Sequence, residues 1–460
     1  MESWELHITA GRFFLDFAWI GLFLIAATWL RSRVHLFQRN LIPANLIAGA
    51  IGLLSGMNGF GLIELTTDRL GVYVYHLLAL LFIGLALRSP QKKLAISSVI
   101  TGTTFIITYL IQGIIGLIVA FVLIYLLMPE LFAGIGLLPP LAFGMNPGIA
   151  YTFGSNWENY GFEDGGVVGL TFAAIGFVVA YTVGIWLVRR SIKKGEATYI
   201  DDDEGMTEEL KTGVIRGESS VSPGRITTSP ETIESLSFHI GLVGVIYIIT
   251  YGSMKVIEIG LISIGAEQEV HTLWSFHFIT AAVLALLIRK VLDGLGTSFM
   301  VDDVTMTRLS NLFMDFMIVA SVAAISFAVV YMYWVPLLLI SVLVALSTWW
   351  IVKYLTVNSF SEYQSERFAV IFGNMTGTLQ SGLLLLRILD SGMKSPASYN
   401  LVYGSGFALI LGFPILIIIN APVHYFDDPN QGFFVIMLAM IVYLLMLITG
   451  WKFIQNSKYS

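Results

Sequence analysis

Long apolar stretches, each broken by a few polar residues, run through almost the whole chain. They fall at about 13–30, 40–56, 72–88, 96–127, 167–188, 238–254, 272–288, 309–331, 335–352, 399–421 and 432–451. Each approaches or exceeds the roughly 20 residues a helix needs to cross a hydrocarbon core. The stretch 96–127 is too long for one upright crossing and predicts either a strong tilt or a break near Gln112-Gly113.

Two further segments are apolar but interrupted. LAFGMNPGIAYTFGSNW near 139–157 and AVIFGNMTGTLQSGLLLL near 368–389 carry glycine and polar residues where a membrane helix carries aliphatic ones. They align with each other: Phe143 with Phe372, Gly144 with Gly373, and Gly148 with Gly377. Downstream, IGFVVAYTVGIWLV at 175–188 aligns with SGFALILGFPILII at 405–418. Each half therefore reads as four spans, a broken segment and a fifth span. An odd number of crossings turns the second half upside down. In lipid an unpaired backbone group costs several kcal/mol, so broken helices persist only inside protein or beside a water-filled cavity. Paired broken segments in inverted halves point to the substrate site of a secondary transporter.

These patterns predict an all-α polytopic membrane protein: two inverted five-helix repeats, each with a re-entrant hairpin, plus one extra C-terminal helix. The divisions are 1–188 for the first repeat, 189–236 for a linker, 237–421 for the second repeat, and 422–460 for the extra helix and tail. The linker is rich in charge, Ser, Thr, Gly and Pro, so it reads as a flexible cytoplasmic connector.

Composition agrees. Of 460 residues, 56% are hydrophobic and 12% charged, too few charges to cover a soluble surface. The absence of cysteine excludes disulfides, thiolate metal sites and cysteine nucleophiles. A net charge of −6 argues against a nucleic-acid partner. The acidic start MESWELHITAGRFF does not resemble a cleaved signal peptide. With the N-terminus outside, Arg31, Arg33, Arg39, Arg88, Lys92, Lys93, Arg189, Arg190, Lys193, Lys194, Arg289, Lys290, Arg308, Lys353, Lys452 and Lys458 fall inside. Only Arg12, Arg69 and Lys255 stay outside, and this bias sets the expected orientation. The C-terminus is then cytoplasmic.

The hairpins supply the candidate binding groups. Asn146, Thr152, Ser155 and Asn156 offer side-chain oxygens in the first, with the Gly148 backbone. Thr376, Thr378, Gln380 and Ser381 do so in the second, with Gly377. Asn146, Gly148, Thr152, Thr376 and Thr378 are the Na⁺ candidates; the alternative for all of them is local capping of broken helices. Arg387 lies in the apolar run LLLLRILD and is open to three readings: a substrate carboxylate, a pairing with Asp390 or Glu158, or snorkelling to the interface. Asp16 and Asp315 are open to two readings, proton or Na⁺ coupling and a hydrogen-bonding or helix-dipole role, of which the second is favoured; His76 and His277 face a similar choice, with core histidines favoured. Gly49, Gly52 and Gly56 suit close helix packing.

The run Gly148-Ile-Ala-Tyr-Thr-Phe-Gly154, then Trp157-Glu158, Gly161 and TFAAIGFVVAYTVG at 171–184, resembles the bacterial sodium/glutamate symporter family. LIPANLIAGAIGLL at 41–54, LLALLFIGLALR at 77–88 and YLIQGIIGLIVAF at 109–121 are similar to that family's early helices. The likeness extends over roughly residues 10–420. It implies Na⁺-coupled uptake of glutamate or a similar small anion in the bacterial inner membrane, by a homodimer with an elevator-like motion and no organic cofactor. Asn146-Pro147 stands where the family has Gly-His, and the second hairpin lacks the family's proline turn, so the differences fall on the substrate. The competing readings are a Na⁺- or H⁺-coupled carrier of di- or tricarboxylates, an ion channel, and an intramembrane enzyme. No filter repeat, HExxH or GxSxG motif supports the last two, and no catalytic activity is expected.

Overall fold

A computed structural model describes residues 2–89, 95–199, 208–215, 224–390 and 392–459. Lys92 and Lys93, counted above on the inner side, lie outside the described residues, as do 200–207 and 216–223 of the linker. The described chain is helical, with no strand among the described residues. Among those residues, nine helices are long and apolar enough to cross a bilayer, which makes this a multi-pass membrane protein.

The first half contains α1 (Glu2–Arg33), α2 (Ala44–Ser55), α3 (Thr67–Ala86) and α4 (Ile96–Leu126). A hairpin follows: a 3₁₀ turn at Ala133–Leu137, then α5 (Leu138–Phe143) and α6 (Pro147–Glu158). The half closes with α7 (Gly165–Val179), which runs through a π turn at Ala180–Gly184 into α8 (Ile185–Lys193). The second half contains α9 (Ser235–Ser263), α10 (His277–Gly294), α11 (Asp303–Ala323) and α12 (Trp334–Ser359). Its hairpin is α13 (Gln364–Thr376) and α14 (Leu379–Leu389), followed by α15 (Ala397–Ile418) and finally α16 (Pro429–Tyr459).

Three expected spans come out differently. The stretch 40–56 yields only the 12 residues of α2, which at 1.5 Å per residue is about 18 Å long. Pro43 sets the start, and α2 stops at Gly56, whose extended backbone leaves the helix. The stretch 272–288 is interrupted at Phe276, between a short helix Val270–Ser275 and α10. The stretch 309–331 shifts to Asp303–Ala323, because Asp302 caps the helix early by accepting the Thr305 N–H at 2.9 Å. By contrast, α4 is continuous through Gln112-Gly113. Its hydroxyls at Thr101, Thr103, Thr104 and Thr108 each donate to the carbonyl four residues back, so they sit in an apolar helix without a stranded polar group.

The chain forms two compact units that do not coincide with its halves. One holds residues 1–33, 43–92 and 213–324; the other holds 34–42, 93–212 and 325–460. Within the first, α3 packs on α11, α2 on α11, α10 on α3, α1 on α2, and α9 on α10. Gly49 and Gly52 of α2 lie against Val322 and Ala323, so these glycines serve close packing as their spacing predicts. Within the second unit, α4 packs on α12, α4 on α15, α12 on α7, and each hairpin's legs pack on each other. At the entry to the first hairpin, Gly116 of α4 meets Gly136 backbone to backbone, leaving no room for a Cβ on either.

Some described linker residues have defined partners. The Thr198 N–H donates to Glu366 Oε1 at 2.7 Å, a short helix spans Glu208–Thr212, and Arg225 Nε bonds Asp302 Oδ1 at 3.3 Å.

Candidate functional site

Both hairpins belong to the second unit. In the first, α5 ends at Gly144, and α6 starts afresh at Pro147. Pro147 has no N–H to strand at this position and its fixed φ suits a helix start. Asn146 caps the new helix, its Oδ1 accepting the Ile149 N–H at 2.9 Å. One turn on, the Thr152 hydroxyl donates to Gly148 O at 2.8 Å. The break is braced from α4, where Tyr109 OH donates to Gly144 O at 2.6 Å.

In the second hairpin, α13 ends at Thr376, and Gly377-Thr378 turns the chain into α14. The Thr376 hydroxyl donates to Phe372 O at 2.8 Å, and the Gly377 N–H bonds Gly373 O at 3.0 Å. At the start of α14, Ser381 Oγ accepts the Thr378 N–H at 3.3 Å and lies 2.6 Å from Tyr181 OH of the π turn. The brace from α4 is Gln112. Its Nε2 donates to Met375 O and to Thr348 Oγ1 of α12, each at 2.9 Å. Its Oε1 is buried and without a protein partner, which costs about 1–3 kcal/mol unless something else fills it.

The two breaks converge on one point of α7. A Cβ added at Gly176 would lie 2.6 Å from Thr376 O and 2.9 Å from the Phe143 ring. Only a glycine lets both hairpins approach α7 there. Near this point the carbonyl end of α13 and the amide end of α14 meet in one turn. The first carries partial negative charge and suits a cation; the second suits an anion.

The structure groups Asn146, Gly148 and Thr152 at the first break, and Thr376, Gly377, Thr378, Gln380 and Ser381 at the second. Ser155 and Asn156 sit nine and ten residues along α6 from Asn146, about 14–15 Å away at 1.5 Å per residue. The Asn156 amide is buried there with neither its oxygen nor its nitrogen bonded to protein. Arg387 stands exposed in the last turn of α14, nine residues from Thr378. Asp390 accepts instead from the N–H groups of Lys394 at 2.9 Å and Ser395 at 2.7 Å, and Glu158 Oε1 accepts the Gly166 N–H at 2.8 Å. The snorkelling reading of Arg387 fits this placement.

Sequence reasoning passed over the braces. Gln112 stood out only as a suspected helix break, and Tyr109, Tyr181 and Thr348 not at all. A lone amide in the middle of a 31-residue apolar helix was the available signal. In the other unit, Asp16 has a partner the sequence reading did not give it: Arg69 Nε lies 3.1 Å from Asp16 Oδ2, and Tyr73 OH donates to the same oxygen at 2.7 Å. Asp315 accepts from Asn45 Nδ2 at 2.8 Å. The His277 nitrogens lie 3.1 and 2.9 Å from the carbonyls of Trp274 and Tyr75. His76 bonds Tyr247 OH.

No protein-family model matches this chain, and neither does any curated protein or solved structure. What the site can do chemically therefore rests on its own geometry. No group of three or more His, Asp or Glu side chains gathers as a metal cluster among the described residues. What the breaks offer is neutral oxygens and backbone N–H groups, which can contact small ions.

Proposed function

We propose that this protein is a secondary active transporter of the bacterial inner membrane, carrying glutamate or a related small acidic substrate by Na⁺-coupled symport. The observation that carries this reading is the pair of broken hairpins in one compact unit, both meeting α7 at Gly176. Buried, unwound backbone is tolerated in a membrane protein where it lines a site. The packing partners support the inverted repeats. Exchanging α1, α2 and α3 with α9, α10 and α11 maps α3–α11 onto itself, α2–α11 onto α10–α3, and α1–α2 onto α9–α10. Exchanging α4 with α12 and α7 with α15 does the same for the α4–α15 and α12–α7 pairs. The resemblance to sodium/glutamate symporters adds the substrate and the homodimer, and the Lys and Arg bias supports an N-terminus outside and a C-terminus in the cytoplasm. Inward Na⁺ movement yields about 2.3 kcal/mol per charge per 100 mV, enough to accumulate an anion when more than one ion is coupled.

The test is uptake of labelled glutamate into proteoliposomes with and without an inward Na⁺ gradient. Na⁺-dependent accumulation above the equilibrium level is expected. Uptake of di- or tricarboxylates alone, or coupling to a proton gradient instead, would replace the substrate or the ion. Substrate-independent currents would replace the transporter by a channel.

A further inference from the structure

We infer that the side-chain carbonyl of Gln112 is a ligand of the coupling Na⁺, held at the carbonyl end of α13. This rests on the symport reading and names a residue of its ion site outside the two hairpins. The orientation of the amide is fixed by its neighbours. Thr348 uses its hydroxyl hydrogen on Val344 O at 2.7 Å, so towards Gln112 it can only accept. Met375 O can also only accept. Reversing the amide would set its oxygen against both, so Nε2 must face them and Oε1 must face away. That oxygen is fully buried and has no protein partner.

Met375 lies in the last turn of α13, where the helix carbonyls carry partial negative charge. An unfilled amide oxygen beside a helix C-terminus asks for a cation or a strong donor. The charge of that cation follows from the surroundings. Divalent ions are held by carboxylates, and no cluster of three or more acidic or His side chains exists among the described residues. Neutral oxygens and half-helix carbonyls are the ligand set of Na⁺ in transporters with broken helices. A substrate ammonium shares this chemistry, and the experiment separates the two.

The experiment follows thermal unfolding of the purified protein as Na⁺ replaces choline at constant ionic strength, alongside substrate uptake. The wild type is expected to gain stability saturably with Na⁺. Gln112→Met is expected to raise the half-saturating Na⁺ concentration at least tenfold. Thr348→Val, which loosens the amide but keeps its oxygen, is expected to respond within a few-fold of the wild type. Gln112→Leu, a second substitution that lacks the oxygen, is expected to weaken the response as Gln112→Met does and covers the case in which the Met variant does not fold. A folded Gln112→Met protein with the wild-type Na⁺ response would overturn the assignment. An unchanged Na⁺ response with a raised substrate KM would also overturn it, giving the oxygen to a substrate ammonium. A wild type indifferent to Na⁺ would instead remove the coupling reading beneath it.

Discussion

Replacing Glu366 with Leu should release the linker from the base of the second hairpin, and the structure fixes the size of the effect. Glu366 lies in the first turn of α13 and is fully buried. One carboxylate oxygen accepts the Thr198 N–H at 2.7 Å; the other is buried without a partner. Beside it, the Tyr199 ring stacks on Tyr363, with centroids 5.9 Å apart, and a hydrogen bond to Tyr363 pushes the Tyr199 phenol up to about 12. Lys394, just past α14, places Nζ 5.9 Å from the Tyr199 ring centre. Residues 198–199 thus touch the entry to α13 and the exit from α14, the two ends of the hairpin. A hydrogen bond to a charged group is worth about 1.5–3 kcal/mol net, or about 10- to 150-fold in an opening equilibrium. Hydrogen exchange at the Thr198 amide reads that equilibrium directly. Glu366→Leu should speed its exchange by that factor, and Glu366→Gln by less, since an amide oxygen still accepts. Global stability is the wrong readout, because removing a buried charge with one unfilled oxygen can by itself stabilise the fold. A Thr198 amide that exchanges as in an unstructured peptide, or equally fast in wild type and Glu366→Leu, would refute the reasoning.

Other substitutions test the remaining braces. A methyl at Gly144 would overlap the Tyr109 ring, whose hydroxyl is tied to Gly144 O at 2.6 Å and cannot swing away. Gly144→Ala should therefore cost about 1–3 kcal/mol in thermal unfolding, and an unchanged midpoint would contradict the close approach. Trp157 Nε1 donates to Asn420 Oδ1 at 2.9 Å, and Asn420 Nδ2 is already without a partner. Trp157→Phe should cost about 1–3 kcal/mol by orphaning the oxygen too, and Trp157→Phe with Asn420→Leu should recover part of that loss. Burial pushes the Asp302 carboxyl up, but the Thr305 backbone and hydroxyl and Arg225 outweigh it, leaving Asp302 below its ordinary value. A depressed folded value contributes stability that is complete above the unfolded value near 3.9 and is lost as pH falls through the folded one. Asp302→Asn should flatten the loss of stability below about pH 4, as followed by unfolding across an acid series.

The spans and the hairpins were legible in the sequence because lipid imposes a one-dimensional rule. A helix must stay apolar for its length, so any run such as FGMNPG announces a break wherever it occurs. Even the failures follow from local chemistry that hydropathy does not weigh. Asp302 starts α11 early through a cap, and Gly56 with Pro43 cuts α2 short, although the flanking residues are apolar enough to continue. What binds the breaks together was not legible, because it is carried across the fold by residues far apart in the chain. Gln112 reaches a carbonyl 263 residues away, and Tyr181 a serine 200 residues away. In the sequence each is a single polar residue in a greasy helix. In the fold each faces a break. The same logic makes the oxygen of Gln112 informative. In a helix whose four buried threonines all return their hydroxyls to the backbone, the one amide sends its nitrogen to the second hairpin and keeps its oxygen free of protein. That leftover oxygen, beside the carbonyl end of α13, is the feature on which the Na⁺ assignment stands or falls.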